Sequence, residues 1–223
     1  MIEKLWPVIY ISLVASIFTG GVSAVHRATR RRIELNREIA EKRVMLEVLR
    51  LAPEGKAAPQ QILQRYEDRV EATGISVEIQ TGEVPVYAGR NESGETVGYA
   101  FEVSGRGFWD QVRGYVAMNP DLRTIRGIAF FQQNETPGLG AEITEPWFEA
   151  QFEGLTLPEG PGPDGRFVTL VRQGREKGPH DVDAITGATG TSKAVEEFLN
   201  YALWSFTRTM RGHRPAEGGG ADG

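Results

Sequence analysis

The sequence predicts an α+β fold: a single apolar helix, a charged linker helix, and then an antiparallel sheet with flanking helices. Three observations lead to this prediction. Residues 5–25 carry no charge, residues 27–51 are charged with a thin apolar seam, and residues 75–131 form closely spaced strand-like runs. The predicted segments are a membrane anchor over 1–25, the linker helix over 26–58, the main domain over 59–211 and a disordered tail over 212–223.

The uncharged run from Leu5 to Val25 is long enough to cross a membrane. As a helix it would reach about 30 Å, the thickness of a hydrocarbon core. Trp6 and Tyr10 lie near one end, where interfacial aromatic residues are expected. A cleaved signal peptide is the alternative, with Val22–Ala24 placed for processing. Because the run is long for a signal peptide, we predict a retained single-pass anchor.

The residues after this run are strongly charged. From Arg27 to about Leu51 the pattern indicates one solvated helix, which Pro53 and Pro59 interrupt. Residues 60–72 then predict a short second helix. Four arginines follow the apolar run and only Lys4 precedes it, so the positive-inside rule places the main domain in the cytoplasm. The arginines are Arg27, Arg30, Arg31 and Arg32.

Short strand-like runs fill the first half of the main domain. They are bounded by turn signals at 92–94 and 119–121, which is typical of an antiparallel sheet. The predicted strands cover residues 75–79, 84–88, 96–103, 112–118 and 124–131. A helical turn is predicted over Trp147–Phe152 and an exposed loop over 157–165.

Composition excludes several classes of function. A formal net charge of −5 argues against nucleic acid as a partner. The absence of cysteine rules out disulfides, thiolate zinc sites, cysteine nucleophiles and cysteine-ligated iron–sulfur clusters. The three histidines are too scattered to predict a metal site. If the protein carries electrons, a flavin is therefore nearly the only carrier left to it.

Residues 181–193 are the most informative stretch of the chain. They follow a strand-like run over 166–173 and open a helix whose apolar residues recur at helical spacing from Val195 to Phe206. A loop of small residues before a helix exposes backbone N–H groups that favour a phosphate, although an ordinary helix N-cap has the same composition. A Walker A loop is excluded, because Lys193 follows Ser192 instead of preceding it. The stretch also carries three more hydroxyls, those of Thr186, Thr189 and Thr191.

The order of residues in this stretch resembles a flavinylation motif. Asp183-x-x-Thr186-Gly187-Ala188-Thr189-x-Thr191 is similar to Asp-x-x-Ser/Thr-Gly-Ala-Thr-x-Ser/Thr of the FMN-binding subunits of the Rnf and sodium-translocating NADH:quinone oxidoreductase complexes. The resemblance implies that Thr189 carries FMN through a phosphoester bond. Two other stretches resemble the same family in the same order. They are Gly105-Arg-Gly107-Phe108-Trp109, with Phe108 where leucine is more usual, and Glu135-Thr136-Pro137-Gly138-Leu139-Gly140.

The resemblance implies a role for each of these residues. Trp109 is expected to cover the flavin ring, and the 135–140 loop to offer it backbone groups; its candidate residues are Glu135, Thr136, Gly138, Leu139 and Gly140. Near the attachment point, N–H groups and a cation are expected to offset the phosphate charge; these belong to Gly190, Thr191, Ser192 and Lys193. Asp183 is expected to position the loop or to be read by the flavin transferase. We expect Thr186 to bond the loop backbone, Thr191 or Ser192 to cap the helix, and the small residues Gly187 and Ala188 to leave room for the phosphate.

The resemblance also implies a function and a location. The chain is expected to be an electron-carrier subunit, not an enzyme on its own, in an Rnf- or Nqr-type complex with other membrane subunits. A flavin transferase would attach the FMN. The domain would face the periplasm from the cell inner membrane, contrary to the count of basic residues, and here we follow the resemblance. The alternatives are a stand-alone membrane-anchored FMN protein that feeds an extracytoplasmic reductase, and a sensory or structural FMN-binding module that passes no electrons.

Overall fold

The computed structural model describes residues 2–161 and 165–213, and its first element is one long helix. Helix α1 spans Ile2–Val48 without a break, so the predicted anchor and linker are parts of the same helix. Its apolar window has a mean hydropathy of 2.0 and none of that window is buried. By length and composition this segment is able to cross a membrane. The chain divides into two compact units, Met1–Ala40 and Glu41–Gly223.

The end of α1 is set by its backbone, earlier than the sequence predicts. Arg50 adopts a left-handed conformation with φ of 56°, and the Leu51 N–H reaches back to the Leu46 carbonyl at 2.8 Å. Such a left-handed residue satisfies carbonyl groups at a helix end. The helix therefore ends at Val48, before the predicted limit near Leu51 and well before Pro53.

A five-stranded antiparallel meander forms the centre of the second unit, as predicted. Each strand pairs with the next along the chain, in the order β1-β2-β3-β4-β5. The strands are β1 Val70–Ile79, β2 Gly82–Arg90, β3 Thr96–Arg106, β4 Gln111–Met118 and β5 Ile125–Gln132. Helix α2 spans Pro59–Arg69, so residues 70–72, predicted as helix, begin β1 instead. Pairing of Val70 with Gly89 across the sheet overrides the local helical pattern there.

Both faces of the sheet are covered. One face packs against the carboxyl-terminal helix α4, Thr189–His213, around Phe101, Phe198 and Phe206. The other face packs against the last turns of α1, where Met45, Val48 and Leu49 meet Ala100, Tyr115, Ala117 and Ala129. Because these α1 residues belong to that core, the domain begins near Glu41 rather than at the predicted residue 59.

The segment after β5 is built from short elements. A 3-10 helix covers Gly140–Thr144, the one-turn helix α3 covers Pro146–Glu149 and a second 3-10 helix covers Ala150–Phe152. The predicted helical turn over Trp147–Phe152 is thus present. Strands β6, Thr169–Val171, and β7, Asp181–Asp183, then pair in parallel. Helix α4 includes Gly212 and His213, two residues predicted to lie in the tail, while residues 214–223 lie outside the described residues.

Candidate functional site

The loop between β7 and α4 holds the residues of the flavinylation motif. Its first end is fixed to β6, because the Ala184 N–H donates to the Val171 carbonyl at 2.7 Å. Its second end is fixed to the helix, because the Ile185 N–H donates to Ser192 Oγ at 3.1 Å. A turn with a 3.1 Å bond from the Ala188 N–H to the Ile185 carbonyl lies between them. Thr189 therefore begins α4 at the end of a loop anchored on both sides. We call residues 184–189 the acceptor loop.

The four hydroxyls of this stretch have different environments. Thr186 Oγ1 donates to the Gln173 side chain at 2.8 Å, and Thr191 Oγ1 donates to Glu135 Oε2 at 2.6 Å. Ser192 Oγ accepts the bond from Ile185 and is buried. Thr189 is exposed, and within the described ranges its hydroxyl makes no hydrogen bond. Thr189 is thus the hydroxyl left open to a reagent.

Two expectations about these hydroxyls need correction. Thr191 and Ser192 do not cap α4, because the helix already begins at Thr189. Both are instead buried and hold other segments in place, the 135–140 loop and the start of the acceptor loop. Thr186 bonds a glutamine side chain after β6 instead of the loop backbone.

Glu135 connects the three stretches that the sequence singled out. It is only 5% exposed, and its carboxylate accepts the Trp109 N–H at 3.0 Å as well as the Thr191 hydroxyl. Space around it is tight: a Cβ on Gly140 would lie 2.4 Å from Thr191 Oγ1. Only glycine therefore fits at that position. Glu135 is thus a buried connector between loops, not a group that faces outward towards a ring.

The rest of the 135–140 loop forms the predicted tight turn. The Leu139 N–H donates to the Thr136 carbonyl at 3.1 Å, and Gly138 has φ of +70°, as a type II turn requires at its third residue. Thr136 and Gly138 are exposed, and Leu139 is partly exposed beside the acceptor loop. A Cβ on Gly187 would lie 3.0 Å from the Leu139 side chain. The turn therefore brings Leu139 to the edge of the motif.

Two exposed aromatic residues border the same loop. Phe108 is 59% exposed, Trp109 is 64% exposed, and their rings meet edge to face with centroids 5.1 Å apart. The Trp109 Nε1–H donates to Thr136 Oγ1 at 3.0 Å, which fixes the indole. Phe108 lies against Gly190, where a Cβ would be 2.4 Å from the Phe108 ring. We call Phe108, Trp109 and Leu139 the apolar ledge; it is a preformed surface for a flat ligand.

Asp183 lies at the end of β7, away from the ledge contacts. Its carboxylate pairs with Lys177 Nζ at 2.6 Å, and its backbone N–H donates to Gln151 Oε1 at 2.7 Å. Its Oδ1 is buried without a hydrogen-bond partner among the described residues. These contacts tie the entry of the acceptor loop to the 3-10 helix over Ala150–Phe152.

A groove that the sequence did not predict runs along the acceptor loop. Its volume is about 510 Å³, within the usual range for small-molecule sites. Thr186, Thr189 and Lys193 line it together with two arginines from either side of β6, Arg166 and Arg172. The sequence signal for these arginines was weak. They flank a strand-like run ahead of the motif, but only the parallel pairing of β6 with β7 brings that run beside Thr189.

Comparison with known proteins agrees with this arrangement. Residues 107–204 match the family model of the FMN-binding domain. These residues form an FMN-binding domain. The matched range contains the apolar ledge, Glu135 and the acceptor loop, so the three predicted stretches belong to one domain of that family.

The relatives of this FMN-binding chain share one name. The NqrC subunit of Na(+)-translocating NADH-quinone reductase from Neisseria meningitidis serogroup B is 36% identical over 151 residues, covering 67% of this chain and 55% of that protein. The same subunit from Pasteurella multocida is 33% identical over 133 residues, covering 60% and 50%. The chain thus spans about half the length of these relatives.

Solved structures agree with the fold. The crystal structure of the NqrC subunit of Na(+)-translocating NADH-quinone reductase from Parabacteroides distasonis superposes with a TM-score of 0.65 at 25% identity, covering 81% of this chain and 96% of that chain. NqrC of Shewanella oneidensis gives a TM-score of 0.63 at 21% identity, covering 79% and 98%, which bears on the fold alone. The recognition of the family and the α+β fold predicted from the sequence are both confirmed.

Proposed function

We propose that Thr189 carries FMN through a phosphoester bond. The observation that supports this most is the difference among the four hydroxyls of the motif. Thr186 and Thr191 donate to other side chains, and Ser192 is buried under the loop, whereas Thr189 is exposed and makes no hydrogen bond with the described residues. A transferase would reach Thr189 without breaking an existing contact.

The surroundings of Thr189 fit the charge and shape of FMN. The amino end of α4 directs backbone N–H groups and the positive end of the helix dipole at this point, which favours a phosphate. Three cationic side chains, Arg166, Arg172 and Lys193, line the adjoining groove. The apolar ledge supplies exposed aromatic surface next to Gly190 for the ring. This assignment makes Glu135 a residue that holds the ledge and the loop together.

Bound FMN would supply the electron chemistry, and the chain would hold and orient it. Thr189 fixes the phosphate end in place, and Trp109 covers ring surface that would otherwise face water. The hydrogen bond from Trp109 to Thr136 keeps the indole in one orientation. A covalent bond at Thr189 also keeps the cofactor from being lost on a side of the membrane where it is not replaced.

We infer that the chain acts as an electron-relay subunit of an Nqr-type complex. The relatives named as NqrC subunits of Na(+)-translocating NADH-quinone reductase support this role over an Rnf complex or a stand-alone protein. The exposed apolar part of α1 supports anchoring in the membrane, where the other subunits would lie. The flavin transferase would be a further, transient partner, working on the periplasmic side.

The experiment that tests this function is the intact mass of the protein after co-expression with a flavin transferase. Thr189→Val should remove both the added mass of FMN and the in-gel flavin fluorescence, while circular dichroism shows a folded domain. Thr186→Val is the matched control, because Thr186 is also exposed and lies in the same loop but bonds Gln173. A Thr189→Val protein that still carries covalent flavin would rule out this assignment.

A further inference from the structure

The groove beside Thr189 has features that the attachment of a single phosphate does not require. Its volume of about 510 Å³ extends from the acceptor loop to Glu196 on α4. Its cations come from three places: Arg166 before β6, Arg172 after β6, and Lys193 on α4. None of the ledge residues lines it. The ledge and the groove are therefore distinct surfaces that share the acceptor loop as a border.

Arg166 is held in this groove by a buried carboxylate. Glu196 is only 6% exposed; its Oε1 lies 3.0 Å from Arg166 Nε, and its Oε2 accepts the Leu170 N–H at 2.6 Å. Asn200, one turn further along α4, accepts the Phe167 and Val168 N–H groups at 2.7 and 3.0 Å. The backbone around Arg166 is thus fixed to α4, and Glu196 orients a guanidinium whose planar shape matches a phosphate.

We propose that this groove binds the diphosphate of flavin adenine dinucleotide, the donor in FMN attachment, and that Glu196 positions Arg166 for it. This inference rests on the proposed attachment at Thr189. A diphosphate carries more charge and occupies more length than one phosphate, which accounts for cations contributed by three separate segments. The groove then serves the attachment reaction, while the ledge serves the flavin ring.

The reaction at this site is a phosphoryl transfer that balances with the donor named above. The Thr189 oxygen forms a bond to the phosphorus on the flavin side of the diphosphate. The bridging P–O bond breaks, and adenosine monophosphate leaves with the bonding electron pair. The hydroxyl proton passes to a base of the transferase or to water. Arg166, Arg172 and Lys193 offset the charge of the diphosphate before and during this step.

The test is the initial rate of FMN attachment to the purified full-length chain in detergent, with transferase and flavin adenine dinucleotide, followed by intact mass. Arg166→Gln and Arg172→Gln should each slow attachment about tenfold at limiting dinucleotide, as expected for one lost charge-assisted contact. Lys193→Gln should slow it less, because Lys193 is largely exposed. Arg175→Gln, in the same segment but outside the groove lining, is the matched control and should react like the wild type.

Two further readouts separate this role from a structural one. The triple variant should raise the KM for the dinucleotide and weaken the dependence of the rate on salt, with an unchanged melting temperature. Glu196→Gln, whose amide oxygen still accepts from Leu170, should slow attachment as Arg166→Gln does, and the double variant should be no slower than Arg166→Gln alone. If the Arg166 variants unfold, the Arg172 and Lys193 variants decide the question.

Three results would overturn the proposal. A triple variant that reacts at the rate of Arg175→Gln would reject the groove and leave the assignment of Thr189 standing. A rise confined to the KM for the chain, with the KM for the dinucleotide unchanged, would indicate a contact with the transferase protein instead. A wild-type chain that acquires no covalent flavin would reject both the groove and the proposed function.

Discussion

Thr191 Oγ1 donates a 2.6 Å hydrogen bond to Glu135, although the two residues are 56 positions apart. Both are almost completely buried, with 3% and 5% of their surfaces exposed. Because Glu135 also accepts the Trp109 N–H, the acceptor loop, the 135–140 loop and the apolar ledge are held by one carboxylate. A change at any of these three contacts should therefore be felt at Thr189.

Thr191→Val should destabilise the domain through Glu135, not through a lost helix cap. The variant keeps the volume of the side chain but leaves one oxygen of a buried carboxylate without its donor, which costs about 1 to 3 kcal/mol. Chemical denaturation with urea measures this change, and attachment of FMN should fall in the same variant. Thr189→Val is the control and should change the free energy of unfolding little. Equal stability of the two variants would contradict this role for Glu135.

Trp109→Ala should leave covalent FMN in place but change its absorption spectrum and reduction potential. Because Trp109 is 64% exposed, its loss removes cover from the ring with little damage to the core. Trp204→Ala removes another exposed indole, on α4, and serves as the control. A Trp109→Ala protein with an unaltered flavin spectrum would exclude Trp109 from the ring site.

Glu149→Gln should stabilise the domain above neutral pH. Burial raises the pKa of Glu149 from 4.5 to about 7, and the charges of Glu47 and Glu145 act in the same direction. As pH rises from about 4.5 to 7, the unfolded chain releases this proton first, so the wild type loses stability over that window. The glutamine keeps an acceptor for the Phe130 N–H, which Glu149 accepts at 2.9 Å.

The gain at pH 8 should be on the order of 1 kcal/mol, less than the full pKa shift would give, because Glu149 is partly exposed and solvent screens its charge. Thermal unfolding at several pH values measures it, and the two proteins should converge near pH 4. Glu176→Gln, at an exposed loop position, is the control. A constant difference between wild type and Glu149→Gln at all pH values would show that titration is not the cause.

The domain after α1 should face the periplasm, although Arg27 and three further arginines follow the apolar segment. A phosphatase that is active only outside the cytoplasm, fused after His213 at the end of α4, should therefore be active. A fluorescent protein that matures only in the cytoplasm should be dark at the same position. The opposite pair of results would favour the count of basic residues and place the domain in the cytoplasm.

Local signals account for the parts of the fold that the sequence predicted. The five strands of the meander have alternating side chains and turn residues between them, and each pairs with its neighbour in the chain. The helix after the motif has a clear apolar face, and the observed α4 follows it. The motif itself identified Thr189, but not what distinguishes it from the other hydroxyls.

Contacts between distant segments account for what the sequence did not predict. Strands β6 and β7 have only three residues each, too few for a periodic pattern, so their pairing was invisible. The groove depends on that pairing, and so does the approach of Arg166 to Glu196. The partner of Thr191 is equally nonlocal, which is why its hydroxyl was first assigned to a local helix cap.

The last turns of α1 set where the domain can be cut for study without detergent. Met45, Val48 and Leu49 cover one whole side of the sheet, so they belong to the folded body even though their helix starts as an apolar segment. A truncated protein that starts at residue 59 would leave Ala100, Tyr115 and Ala129 bare, and bare apolar surface of this kind favours aggregation. Soluble versions should begin at or before Glu41.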